Sequence, residues 1–306
     1  MYDPSDQDTI PPPLRATALG RDEVWPPKPL EIVQVDAFGM TDRGKVREDN
    51  QDHFYIGQIG RFSRILATSL PPDELPERME QANHVAVVAD GMGGHKGGEV
   101  ASRTAIIVFF HLLFDTTDWV LRVDEQSAQR ILERAGQRYR SLDELLDERA
   151  RIDPNLKGMG TTMTLTYSIG YDLFLAHCGD SRAYLCRGGT LQQLTRDHTR
   201  VQEMVDLGVM TREEAATHKL RNVLTNVLGG GVPLTDVDLH RIKLAPGDAI
   251  LLCSDGLYDV VKDEEIASIL STVRSSQTAC RALIDLALER HAPDNVTVVV
   301  SRYVAS

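Results

Sequence analysis

Apolar positions recur along this chain with two periods. Residues 31–38 alternate apolar and polar, the pattern of a half-buried strand. Val85 to Ala89 form an unbroken apolar run that ends on Asp90 and a loop holding Gly91, Gly93 and Gly94. Such a run bounded by glycines predicts a buried strand. The period then changes. Over 97–114, Val100, Ala101, Thr104, Val108, His111 and Leu112 fall at helical spacing, and a second helix is expected over about 127–151, broken or kinked near Ser141. The charged face of that helix is the solvated side of an amphipathic element.

The second half of the chain predicts strands over 161–169, 172–178, 182–187, 236–244, 249–253 and 295–304. Between the third and fourth of these, 200–231 holds two short helical pieces, with Thr211 a candidate N-cap. The last helices are expected over 264–271 and 277–290. Near the start, a turn at Arg43-Gly44 links two strand-like pieces, the second carrying Arg47, Asn50 and Asp52. Residues 57–83, with Pro71, Pro72 and Pro76, read as an inserted loop. Consecutive strands joined by short turns favour antiparallel sheets, and amphipathic helices then cover their outer faces. One domain is expected over 31–306. It follows a proline-rich lead-in over 1–30, expected to be irregular or partly disordered.

Composition narrows the function classes. The chain has 306 residues, 42% hydrophobic and 25% charged, so a single core needs neither disulfides nor structural metal. A formal net charge of −12, with no Lys/Arg-rich run, argues against nucleic acid as a partner. None of the four cysteines forms a Cys-x-x-Cys pair, and Cys178 and Cys253 sit in apolar runs, so reduced core thiols and a cytoplasmic location are expected. No signal-peptide pattern opens the chain. The longest apolar stretch, 105–114, is interrupted by His111 and too short to span a bilayer, so no membrane role is expected.

The chemistry lies at strand ends. Asp90, Asp180 and Asp255 each follow an apolar run, and Asp294 precedes one. In an antiparallel pair the end of one strand lies beside the start of its partner, so Asp255 and Asp294 can meet at one sheet edge. Asp90 and Asp180 join them if their strands point the same way. Each aspartate alone could simply close a turn. Together they form a self-repelling cluster that only cations would make reasonable. Hard cations such as Mg²⁺ or Mn²⁺ take such carboxylate oxygens, and the bare Gly91 carbonyl would serve equally. Two bridged ions make a hydrolytic centre by lowering the pKa of water. Arg47 is a planar cation able to grip two phosphoryl oxygens at once, although a surface ion pair is the ordinary fate of an arginine.

Six motifs then occur in order: Arg47-Glu-Asp-Asn-Gln-Asp52, Asp90-Gly-Met-Gly-Gly-His95, Gly160-Thr-Thr162, Gly179-Asp-Ser-Arg-Ala-Tyr184, Ser254-Asp-Gly-Leu257 and Asp294-Asn295. Together they resemble the protein phosphatase 2C family of metal-dependent serine/threonine phosphatases, in its bacterial form, over about 32–304. The resemblance implies an α+β fold, a four-layer α-β-β-α sandwich of two antiparallel sheets flanked by helices. It implies that Asp90 bridges two Mg²⁺ or Mn²⁺ ions, that the Gly91 carbonyl, Asp255 and Asp294 complete their shells, and that Asp52 holds a metal-bound water. By the same resemblance Asp180 holds a third, looser ion, Arg47 binds the substrate phosphate, and Asp259 is a further acidic residue near the metals. Residues 200–231 become a flap beside the site.

The implied reaction is hydrolysis of phosphoserine and phosphothreonine by a metal-bridging hydroxide, without a phosphoenzyme. The implied partners are phosphorylated proteins, serine/threonine kinases among them. Two positions depart from the family pattern. Gln51 stands where Glu is frequent and brings no charge, and Met92 stands where animal members carry a histidine proposed as general acid. His95 could substitute as acid, although a loop-structuring role is the simpler expectation, as it is for His53 and His198. The alternatives are an inactive relative that binds phosphoproteins, and a two-metal phosphatase for small molecules.

Overall fold

The computed structural model describes residues 33–69, 78–93, 97–114 and 123–304. The proline-rich lead-in, the Pro71–Pro76 stretch and His95 lie outside the described residues. In chain order the elements are β1 (Gln34–Asp42), β2 (Asp52–Arg64), β3 (Arg78–Met92), α1 (Gly97–Phe114), α2 (Glu125–Ile152), β4 (Gly160–Thr161), β5 (Met163–Ile169), β6 (Asp172–Cys178), β7 (Arg182–Arg187) and β8 (Thr190–Gln193). There follow α3 (Arg200–Asp206), α4 (Arg212–Ala216), β9 (Leu228–Gly229), β10 (Asp238–Lys243), β11 (Ala249–Cys253), α5 (Asp255–Tyr258), α6 (Asp263–Thr272), α7 (Ser276–Glu289) and β12 (Val296–Val304).

All named strand pairs are antiparallel, as expected. One sheet runs β1-β12-β11-β7-β8. The other runs β10-β6-β5-β3-β4-β9, with β2 paired to β3. Three apolar clusters explain the layering. Along β3, Val85, Val87 and Ala89 pack toward Ala101, Ala105 and Phe109 of α1 and Tyr139, Leu142 and Leu146 of α2. The alternate residues Ala86 and Val88 face the other sheet, meeting Leu185, Ile250, Leu252 and Val299. On that sheet, Ala249, Leu251 and Cys253 point the opposite way, onto Ile266, Leu270, Leu283 and Ile284 of α6 and α7. With both faces buried, these strands read as continuous apolar runs rather than alternations. The result is the four-layer α-β-β-α sandwich.

Four expectations need correction. Residues 57–83 are not mainly a loop. The β2–β3 pairing runs from Asp52↔Asp90 out to Arg64↔Arg78, so most of the segment is a long hairpin. Arg47 and Asn50 are not on a strand, because 43–51 is irregular between β1 and β2. The second helix is unbroken at Ser141. It starts at Glu125 behind an Asp124 N-cap, where Asp124 and Ser127 satisfy each other's backbone N–H groups. Finally, α1 is by length and composition alone long and apolar enough to cross a membrane. Its Ala101, Ala105, Ile106 and Phe109 are nonetheless spent on the core.

Thr211 caps α4 as expected, with Glu214 completing a reciprocal cap. Residues 200–224 form an excursion closed at its base by an isolated bridge between Thr199 and Leu224. All four cysteines are buried and unpaired.

Candidate active site

Each carboxylate is delivered by a backbone feature. Cys253 of β11 pairs with Val298 of β12, and the Ser254 N–H donates to the Thr297 carbonyl at 3.1 Å. Asp255 therefore opens α5 beside the segment carrying Asp294. Gly256 permits this approach, because a Cβ there would stand 2.1 Å from the Asn295 carbonyl oxygen. On the other sheet, Asp52 lies directly opposite Asp90. The Asp90 N–H donates to Thr162 Oγ1 at 3.0 Å and its carbonyl accepts from Thr161 Oγ1 at 2.8 Å. Thr162 Oγ1 is in turn 2.7 Å from Ser181 Oγ, next to Asp180. Gly179, at φ +110, makes that turn, where a Cβ would sit 2.5 Å from Thr162.

These threads bring Asp90, Gly91, Asp180, Asp255, Asp294 and Arg47 to one cleft of about 540 Å³, which Gln51 and Met92 also line. Asp52 is fully buried behind Asp90, its Oδ2 accepting from Ser254 Oγ at 2.6 Å and Thr297 Oγ1 at 2.7 Å. Arg47 grips Asp294 through Nε–Oδ1 at 2.8 Å and Nη2–Oδ2 at 2.6 Å. Asp259 lies close to Asp255 but outside the cleft wall, ion-paired at 2.6 Å to Arg221 of the excursion.

Burial and mutual repulsion hold the cluster toward its protonated forms. Burial pushes Asp90 well above the usual carboxylate range, and Asp52 and Asp255 push it further. Asp255 rises well above that range for the same reasons, with Asp180 the strongest neighbour. Burial also lifts Asp180 to about 7 and Asp52 to about 6, the latter against the two hydroxyl donors. Asp52 Oδ1 and Asp255 Oδ1 are buried with no hydrogen-bond partner. Unpartnered oxygens in a crowded carboxylate cluster, with Gly91 lining the same cleft, fit hard divalent cations. Asp90, Asp180, Asp255, Asp294 and the Gly91 carbonyl are the groups placed to hold them.

Sequence reasoning did not find the groups that hold the site together. Asn295 accepts from the Gln51 N–H at 2.9 Å and donates to the Arg43 and Asp49 carbonyls, both at 2.9 Å, so it anchors the loop that presents Arg47. Tyr258 donates to the Asp180 carbonyl at 3.0 Å, and Arg182 stacks 3.6 Å over its ring while pairing with Asp197. Asn295 lies within the Asp294-Asn295 motif and Tyr258 directly follows Ser254-Asp-Gly-Leu257, but their partners are remote in sequence. His53 Nδ1 lies 3.0 Å from Ser102 Oγ of α1.

The chain is similar to known proteins of one family. The family described as "Protein phosphatase 2C" matches residues 72–289. Over 264 residues the chain is 38% identical to the serine/threonine protein phosphatase PstP of Mycobacterium tuberculosis, covering 86% of this chain and 44% of that protein. The chain thus spans under half the length of that relative. It is 32% identical to the serine/threonine phosphatase Stp of Listeria welshimeri over 262 residues, 85% of this chain and 92% of that protein. Among solved structures, the catalytic domain of PstP in complex with two manganese ions superposes with a TM-score of 0.70 at 34% identity, covering 89% of this chain and 100% of that one.

Proposed function

The chain belongs to the protein phosphatase 2C family, and on that premise we propose that it is a divalent-metal-dependent phosphatase acting on phosphoserine and phosphothreonine in proteins. The observation that carries this is the meeting of Asp90, Asp180, Asp255 and Asp294 with Arg47 around one cleft. Bound Mg²⁺ or Mn²⁺ would neutralise the carboxylates, polarise the phosphoryl group and lower the pKa of water. Asp90, Asp255, Asp294 and the Gly91 carbonyl would hold two ions, and Asp180 a third.

The protein's own work is positioning and charge. Arg47, more than half exposed at the mouth, can swing its fork from Asp294 to two phosphoryl oxygens. Asp52, fastened by Ser254 and Thr297, keeps one oxygen free toward Asp90 to orient a water. Met92 lines the cleft where a side-chain acid could stand, so the leaving alkoxide would take its proton from water. The substrates would be phosphorylated proteins, serine/threonine kinases included. The four unpaired cysteines suit a reducing, cytoplasmic setting.

The test is phosphate release from a phosphothreonine peptide and from p-nitrophenyl phosphate with Mn²⁺, Mg²⁺ or EDTA, beside Asp90→Asn. Metal-dependent turnover that vanishes in the variant is expected. A folded protein inert with every metal would overturn the assignment in favour of a phosphoprotein-binding relative.

A further inference from the structure

Outside the carboxylate cluster, one buried imidazole joins four stretches of chain. The His198 backbone N–H donates to the Gly179 carbonyl at 2.7 Å, and the Gly179 backbone N–H donates back to the ring at His198 Nδ1, at 3.1 Å. Gly179 is the hinge of the turn that aims Asp180. The His198 carbonyl accepts from the Thr225 N–H at 2.9 Å, and Asn226 Nδ2 lies 3.2 Å from Nδ1. Nε2 stands 3.3 Å from Asp238 Oδ2 on β10. The next residue, Thr199, caps α3 and bridges to Leu224, which lines the cleft. Both ends of the 200–224 excursion are thus tied to His198, through its main chain at Thr199 and Thr225 and through its ring at Asn226, and the same ring holds the Asp180 turn.

The ring's hydrogen bonds define its tautomer. Because Nδ1 accepts from a backbone N–H, the proton of the neutral ring sits on Nε2 and is donated to Asp238. His177, its ring 5.0 Å away, is engaged in the same manner by Thr164 Oγ1 at 2.8 Å and the Arg196 carbonyl at 3.1 Å. His177, His198 and Asp238 lie close enough together to hold a metal ion by spacing. An ion would have to strip these hydrogen bonds first, so the arrangement serves to orient rather than to ligate.

We infer that His198 is a positioning residue that locks the Gly179–Asp180 turn and the base of the 200–224 excursion into a single register. Nδ1 acts on the turn, and Nε2, held by Asp238, keeps the ring from rotating away. The kinetic consequence rests on the phosphatase assignment, but the structural coupling does not.

The test compares amide hydrogen exchange and p-nitrophenyl phosphate turnover at saturating Mn²⁺ in the full chain, His198→Gln and His198→Asn. Asn places an acceptor near the Nδ1 position, whereas Gln reaches toward Asp238 and leaves the Gly179 N–H without one. His198→Gln is expected to speed exchange at 179–181 and at 224–226 together and to lower turnover about 10- to 100-fold, the cost of misplacing a site group by about 1 Å. His198→Asn is expected to restore protection of the turn and most of the turnover. Should His198→Gln fail to fold, Asp238→Ala, which frees the ring while keeping Nδ1, should loosen the same two segments to a lesser degree. Equal exchange in the Gln and Asn variants, or loosening confined to one segment, overturns the inference. A wild-type protein without metal-dependent turnover would instead remove the phosphatase assignment, and the exchange result would still decide the coupling.

Discussion

Arg47 and Asp294 face each other as a fork on a carboxylate, with both carboxylate oxygens taken. A cation seeking Asp294 and a phosphate seeking Arg47 must each break the same pair, so binding of either favours binding of the other. Arg47→Ala should therefore leave the Mn²⁺ concentration for half-maximal activity unchanged or lowered, while KM rises. Arg47→Lys loses the two-pronged contact, a charge-assisted interaction of about 1.5–3 kcal/mol, and should lose about 10- to 100-fold in kcat/KM. Steady-state kinetics across an Mn²⁺ series checks both. A raised metal requirement with an unaltered KM would contradict the coupling.

The carboxylate cluster predicts an unusual pH dependence of stability in EDTA. By pH 5 to 7 the unfolded aspartates have lost their protons. In the native state Asp90 and Asp255, pushed well above the usual carboxylate range, hold theirs longer, and Asp52, at about 6, and Asp180, at about 7, release theirs only within this window. The native state then binds more protons, so stability falls as pH rises through this window. His177 opposes this. Burial, and then His198, push it down to about 4, so its contribution grows as pH rises toward 6.5. Each group can contribute at most about 1.4 kcal/mol per pH unit, and four outweigh one. Tm should therefore drop from pH 5 to 7 in EDTA. With Mn²⁺ holding the carboxylates ionised, it should not. A Tm that climbs with pH in EDTA would mean the cluster is not buried as described.

Asn295 makes three hydrogen bonds to the 43–51 loop from one side chain. Asn295→Ala leaves their backbone partners unpaired, at about 1–3 kcal/mol for each group that stays buried. The expected signature is a higher KM for phosphorylated substrates and a lower Tm, with two-ion binding intact by calorimetry. Loss of metal binding instead would show that the loop also shapes the metal sites.

Gly256→Ala tests the approach of α5 to the segment before β12. The added Cβ would meet backbone at 2.1 Å, which no side-chain rotation can relieve. The variant should be destabilised by several kcal/mol, or inactive if it folds, with urea unfolding as the measure. Wild-type stability and activity would refute the close approach.

Much of this was legible in the sequence because burial on both faces leaves long apolar runs, and Asp90, Asp180 and Asp255 follow such runs while Asp294 precedes one. The strands around Asp90, Asp180, Asp255 and Asp294, and the cap at Thr211, follow from local pattern. The β2–β3 hairpin did not, because mixed charge and prolines over 57–83 hide a pairing set by cross-strand register. The strand-like pattern around Arg47 does not report its loop, which is held by Asn295, far along the chain. Ser141 suggested a break, but Tyr139, Leu142 and Leu146 keep that helix packed. Tyr258 and His198 act through partners 78 and 19 residues away, and no local pattern reports such distances.

The position of β12 has a consequence for how the protein is made. Among the described residues β1 pairs with β12 alone, and Thr41 meets Thr297 across 256 residues of chain. During synthesis the first strand must wait for the twelfth, and the layer that carries Asp255 and Asp294 cannot close before then. Contacts of such long range form late and slowly. A nascent chain would thus stay without its catalytic centre until translation has passed β12, and the earlier strand would need shielding from other unpaired edges in the meantime.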